Sequence, residues 1–293
     1  MSDPRPSSPM PENFTTVVSA KQLADQLDNP DWVVVDCRFT LTDPESGRRA
    51  YAVGHIPGAR YAHLEEDLSA PVGAHTGRHP LPDPEELARR LGEWGIDGDK
   101  QVVVYDDTFG AMAGRLWWLL RWLGHDRVAL LDGGLPAWKR VGLPLSATPP
   151  RIHATHFVAN LRPGLVVDAG AVQAATEDRS GVVIDARAEE RFSGDVEPLD
   201  PVAGHVPGAV NLPWEDNLDM DGTFLSSEEL RELYEDIVGK RSPSHVFAMC
   251  GSGVTACHNL VAMEIAGISG ARLYAGSWSE WISDPERPVA TGE

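Results

Sequence analysis

Val33-Val34-Val35-Asp36-Cys37-Arg38, with Gly54-His55-Ile56-Pro57-Gly58-Ala59 after it, returns later in the chain as Val182-Val183-Ile184-Asp185-Ala186-Arg187 and Gly204-His205-Val206-Pro207-Gly208-Ala209. The spacing is nearly the same in both places, 19 positions from Asp36 to His55 and 20 from Asp185 to His205. Two matches in one order at one spacing mark an internal duplication. Outward from them, Asp83-Pro84-Glu85-Glu86-Leu87 answers Ser226-Ser227-Glu228-Glu229-Leu230, each an N-cap residue with a Glu three positions on, the form of a capping box. The apolar runs 101–105 and 245–249 come next, each leading into a Gly-containing turn and then helical periodicity. Leu131-Asp132-Gly133-Gly134 ahead of Trp138 finally matches Leu273-Tyr274-Ala275-Gly276 ahead of Trp281.

Each half thus alternates short β-branched strands with helical segments, which predicts an α/β fold: tandem domains, each a parallel sheet with helices on both faces. The expected division is a disordered Pro- and Ser-rich segment over 1–14, a first domain over 15–147, a connector over 148–164 within the Pro-rich stretch 143–164, and a second domain over 165–293. The 293 residues carry 44 Asp plus Glu against 25 Lys plus Arg, a formal charge of −19. With no run of basic residues, neither nucleic acid nor an anionic membrane is an expected partner. No segment has the apolar length of a membrane span, three cysteines make no disulfide framework, and the N-terminus lacks the apolar run of a signal peptide; a cytoplasmic protein is expected.

The two halves differ where chemistry would sit. After the run 245–249 stands Cys250-Gly251-Ser252-Gly253-Val254-Thr255-Ala256, whereas the first half has Asp106-Asp107-Thr108-Phe109-Gly110-Ala111, so the first copy is expected to be inactive. A Cys at the end of a parallel strand, ahead of a Gly-rich turn into a helix, meets converging backbone N–H groups and the positive helix end, which activate a thiol and hold an anion. Gly251, Gly253, Val254 and Thr255 are the expected amide cradle, with the Thr255 hydroxyl capping the helix. A thiol phosphatase would place an Arg six positions after the Cys to grip phosphate; Ala256 stands there instead.

The doubled Asp-x-Arg and Gly-His-(Ile/Val)-Pro-Gly-Ala motifs, the loop 250–255 and Gly276-Ser277-Trp278-Ser279-Glu280-Trp281 resemble the two-domain sulfurtransferases of the rhodanese superfamily. The resemblance implies two rhodanese-like domains with the active site between them and Cys250 as a persulfide carrier that needs neither metal nor redox cofactor. The partners it implies are a small-molecule sulfur donor and, as acceptor, a small thiol, a thioredoxin-like protein or cyanide. The neutral Gly251 and Ser252 resemble the 3-mercaptopyruvate branch, with thiosulfate as the alternative donor and a non-catalytic binding module as the alternative of another class. That branch implies a proton relay, matched here to Ser252, His55 and Asp43, and an Arg fork for the donor carboxylate, matched to Arg187 and Arg191. An Arg187–Asp185 ion pair and a turn role for His55 are the competing structural readings. Cys37 and Cys257 are expected to pack as small buried residues, and Trp117, Trp118 and Trp122 to lie on a helix against a sheet.

Overall fold

The computed structural model describes residues 13–292. Its first half contains strands β1 (Val17–Val18), β2 (Trp32–Asp36), β3 (Arg60–Tyr61), β4 (Gln101–Tyr105) and β5 (Val128–Leu131), with helices α1 (Ala20–Ala24), α2 (Ser46–Val53), α3 (Pro84–Glu93), α4 (Ala113–Trp122) and α5 (Gly134–Arg140). The second half repeats the plan with β6 (Val166–Val167), β7 (Val182–Asp185), β8 (Val210–Asn211), β9 (Val246–Met249) and β10 (Arg272–Tyr274), and α6 (Ala169–Glu177), α7 (Glu189–Ser193), α8 (Ser227–Val238), α9 (Ala256–Ile265) and α10 (Ser277–Trp281). Strand order is β1-β5-β4-β2-β3 in one sheet and β6-β10-β9-β7-β8 in the other, the same order shifted by five, and every pairing is parallel. Registers Asp36↔Tyr105 and Asp185↔Met249 set the loops after β4 and β9 beside those after β2 and β7, at the carboxyl edge where α/β sheets bind ligands. No helix among the described residues is long and apolar enough to cross a membrane.

The duplicated motifs form one device, built twice. Arg38 donates from Nε and Nη2 to the Asp36 carboxylate and from Nη2 to Gly54 O at 2.8 Å; Arg187 does the same with Asp185 and with Gly204 O at 2.8 Å. The ion pair therefore pins the Gly-His-(Ile/Val)-Pro-Gly turn to the strand end, and both guanidiniums are buried. His55 and His205 share a role in that turn. Their Nδ1 atoms lie 2.8 Å from Tyr51 O and Phe192 O, and their rings stack on the Tyr51 and Phe192 rings. Trp138 and Trp281 close each domain by donating to Pro144 O and Pro288 O, both at 2.9 Å.

One local expectation needs correcting. Ser226 and Glu229 make a full capping box, but Asp83 only accepts, from Glu85 N and Glu86 N, with Pro84 opening the helix. The connector packs on the first domain: Thr155 N bonds Gly92 O, Asn160 N bonds Leu123 O, and Phe157 is buried. Of the segment 1–14, residues 1–12 lie outside the described residues, while Phe14 packs edge-on against Trp32 and exchanges hydrogen bonds with Gln101.

The domains share a core. One apolar cluster runs from Val33, Val35 and Val104 through α4 and α9 to Ile184, Val246 and Ala248, while smaller clusters cover the outer face of each sheet. Trp117, Trp118 and Trp122 belong to that shared cluster, so α4 packs on its own sheet and on the other domain at once.

Because Asp36 lies against a buried guanidinium, Asp36→Ala strands a charge rather than merely losing a contact. We expect a loss of about 3–5 kcal/mol in chemical denaturation.

Candidate active site

Cys250 follows β9 at the floor of a cleft of about 230 Å³ between the domains. Its loop is clamped from below by the 276–281 motif: Ser277 Oγ accepts from Cys250 N at 3.1 Å, Trp278 N donates to Cys250 O at 3.0 Å and Ser279 N to Gly251 O at 2.9 Å. Gly253 sits at φ 72° with Ala275 O only 2.3 Å from where a Cβ would be, so the curl of the loop requires glycine there. Among the described residues the amides of 251–255 hold no hydrogen bond, and they stand at the start of α9. Thr255 is the N-cap of α9, but its hydroxyl makes no capping bond, contrary to the expectation.

The first-half loop shows what such a cradle holds. Asp106 is fully buried, with Oδ1 accepting from Thr108 N and Gly110 N and Oδ2 from Met112 N and Ala113 N, at 2.8–2.9 Å. Burial pushes its carboxyl pKa up while the four amides pull it down. The first copy thus seats its own carboxyl group on amides whose counterparts the second copy leaves open around Cys250.

The relay expected from sequence is only partly assembled. Ser252 Oγ lies 2.7 Å from Nδ1 of His79, not of His55, and His79 Nε2 lies 3.9 Å from Glu65 Oε1. His79 is fully enclosed; burial, then Arg115 and Arg78, lower its pKa to about 3, so it is a neutral imidazole. With Glu65 on the Nε2 side, the Nε2–H tautomer leaves Nδ1 to accept the Ser252 hydroxyl. His55 is a turn residue whose Nδ1 contact and ring stacking His205 repeats, with its Nε2 at 3.1 Å from Thr148 O, and Asp43 pairs with Arg49 at the surface. His79 sits in Arg78-His79-Pro80, outside any duplicated motif, and its proximity to Ser252 spans 173 positions, so the repeat offered no signal for it.

The arginines also sort differently. Arg187 lines the cleft, but Asp185, Gly204 O and Glu197 take its donors and its guanidinium stacks on Trp278; Arg38 makes the same ion pair in the copy without a thiol. Strand-end bracing accounts for Arg187 without a ligand. Arg191 is held bidentately by Glu197, and Asp200 bridges it to Arg78 of the other domain, with Arg78 Nη1 at 2.7 Å and Arg191 Nη2 at 3.0 Å. The other terminal nitrogens, Arg78 Nη2 and Arg191 Nη1, lie 3.2 and 3.5 Å from a Cβ position on Gly251 and hold no hydrogen bond among the described residues. They form a two-guanidinium fork against Gly251 in the cleft that Cys250 lines, and any side chain at 251 would crowd it.

One cluster has metal-like composition, Glu45, His63 and Glu66. His63 Nδ1 accepts from the amides of Glu65 and Glu66, which puts the ring proton on Nε2 toward Glu45, and Arg48 pairs with both carboxylates. The donor set neutralises itself and offers no free imidazole lone pair.

Cys37 and Cys257 are buried free thiols as expected; burial raises the Cys37 pKa well above the ordinary range and pushes Cys257 up to about 12. Cys250 is equally buried but is the one of the three that lines the cleft, so native protein treated with iodoacetamide should gain one adduct, absent in Cys250→Ser, whereas denatured protein gains three; mass spectrometry counts them.

The family described as "Rhodanese-like domain" matches residues 19–141 and 168–284. A Pseudomonas aeruginosa protein described as "Probable 3-mercaptopyruvate sulfurtransferase" is 53% identical over 279 residues, 94% of this chain and 98% of its own. Mouse thiosulfate sulfurtransferase is 33% identical over 295 residues, 96% of this chain and 97% of its own. The 3-mercaptopyruvate sulfurtransferase of Leishmania major superposes with a TM-score of 0.80 at 33% identity, over 94% of this chain and 75% of that one. With two matched domains in one fused fold, the chain belongs to the rhodanese family.

Proposed function

We propose that this chain is a cytoplasmic sulfurtransferase that moves a sulfane sulfur from 3-mercaptopyruvate, through a Cys250 persulfide, to a small thiol, a thioredoxin-like protein or cyanide. The Cys250 thiolate attacks the donor sulfur, forming an S–S bond as the C–S bond breaks. The released electron pair makes the enolate of pyruvate, which takes up one proton to become pyruvate. An acceptor thiolate then attacks the outer sulfur and regenerates Cys250.

The Ser252–His79 hydrogen bond beside Cys250 carries the choice of donor. An enolate must be protonated, and a serine hydroxyl backed by a neutral imidazole and Glu65 delivers and recovers that proton. Thiosulfate releases sulfite, a stable anion that needs none. The Arg78–Arg191 fork suits the mercaptopyruvate carboxylate and fixes the donor with its sulfur over the thiol. Thiosulfate is the second reading, since the same fork accepts a small dianion and a relative 33% identical carries that name. The open amides around Cys250 weigh against a mere binding module, given how the lapsed copy fills its own.

Incubation with 3-mercaptopyruvate should add about 32 Da, one sulfur, to the intact protein and nothing to Cys250→Ser; a gain in that variant would remove Cys250 as carrier. Turnover with the two donors at equal concentration should favour mercaptopyruvate, and a strong thiosulfate preference would defeat the relay argument. His79→Asn should lower kcat with mercaptopyruvate by about 10²-fold and with thiosulfate far less. Arg191→Ala should raise KM for mercaptopyruvate by about tenfold, with Arg78→Ala in the same direction.

A further inference from the structure

Helices α4 and α9 pack against each other across the domain boundary, so closely that a Cβ on Gly114 would lie 3.2 Å from His258 N. Arg115 and His258 occupy the same place in their helices, two residues past Ala113 and Ala256, and each reaches the other domain's loop. Arg115 Nη1 donates to Gly253 O at 3.0 Å, and His258 Nε2 lies 3.2 Å from Phe109 O. The exchanged groups differ in charge. Burial lowers the His258 pKa to about 3, so a neutral ring meets the loop that already carries the Asp106 anion. The loop that carries a thiol meets a guanidinium.

Four guanidiniums line the Cys250 cleft or hold its loop, and three have carboxylate partners: Arg187 pairs with Asp185 and Glu197, Arg191 with Glu197 and Asp200, Arg78 with Asp200. Arg115 has none among the described residues. Wholly enclosed, it donates to three carbonyls, Gly253 O, His79 O at 2.9 Å and Pro80 O at 3.2 Å, and lies against the Cys257 thiol, while its Nε is unpartnered. Two neighbouring thiols, Cys257 and Cys250, would favour its charge if ionised, and Cys257, pushed up to about 12 by burial, stays neutral. Glu65 faces His79 at 3.9 Å and reaches no nitrogen of Arg115. A buried cation without a counter-ion is costly, and a negative sulfur at Cys250 offsets that cost.

We propose that Arg115 of the first domain is the built-in counter-charge of the Cys250 sulfur, a positioning residue that favours the thiolate and persulfide anions through the loop it holds at Gly253 O. The proposal rests on Cys250 acting as an anionic sulfur carrier.

Its test begins with a comparison that needs no turnover and so fails separately from the sulfurtransferase reading. Cys250→Asp places on the open loop the anion that Asp106 provides on the other. At neutral pH it should melt above Cys250→Asn by about 2 °C or more, and the difference should vanish when Arg115→Met is added. Equal melting of the two single variants, or a difference that survives Arg115→Met, overturns the proposal. In the otherwise unaltered enzyme, Arg115→Met should move the acid limb of the kcat/KM profile upward by about one pH unit or more, and Arg115→Lys should restore it. Losses equal at every pH in both variants would make Arg115 a strut and overturn the proposal. Should Arg115→Met not fold, Arg115→Gln takes its place in both measurements, with the same outcomes expected and the same outcomes overturning the proposal.

Discussion

The contact between α4 and α9 is the constraint on which the rest depends. Neither domain completes a site by itself: the second supplies Cys250, Ser252 and Arg191, and the first supplies Arg78, His79 and Arg115. Gly114 lets the helices approach, and the shared apolar cluster, with Trp117, Trp118 and Trp122 on α4, makes separation costly. A fused core keeps a 2.7 Å hydrogen bond between residues 173 positions apart, which a loose tether would average away.

Duplication explains both the economy of the fold and the asymmetry of its chemistry. Each copy builds the same strand-end ion pair, the same histidine turn and the same Trp closure, because each must anchor a parallel sheet and turn the chain at its carboxyl edge. At the loop after the fourth strand the copies diverge in electrostatics. One neutralises its amides with its own carboxylate and faces a neutral imidazole; the other leaves its amides open, carries a thiol and faces a guanidinium. Both loops are built to receive an acidic group: the first already holds the Asp106 carboxyl, and the second leaves its amides open beside the Cys250 thiol.

Much of this was legible in the chain. Strand and helix periodicity, the two copies of Asp-x-Arg and the Gly-rich turn after Cys250 gave the architecture, because each is local or repeats at a fixed spacing. The same repetition misled at His55, since a histidine in a named motif looks like a relay until its twin His205 shows the same stacking in the same turn. Arg187 is a similar case: a guanidinium at a strand end suits an anion in sequence, but in space its donors are already taken. Arg78, His79 and Glu65 lie in an unrepeated stretch, and only the docking of the domains gives them a role.

The sequence by itself determined the duplication, the parallel α/β sheets and the one copy with a thiol after its fourth strand, since hydrophobic period, glycine placement and the identity of one residue after a strand depend on neighbours in the chain. Tertiary structure alone decided which histidine meets Ser252, which arginines remain free to grip a ligand and which buried charge lacks a partner. Those are properties of pairs brought together across a domain interface, where burial and the filling of each donor set the chemistry, and no spacing along one chain encodes them.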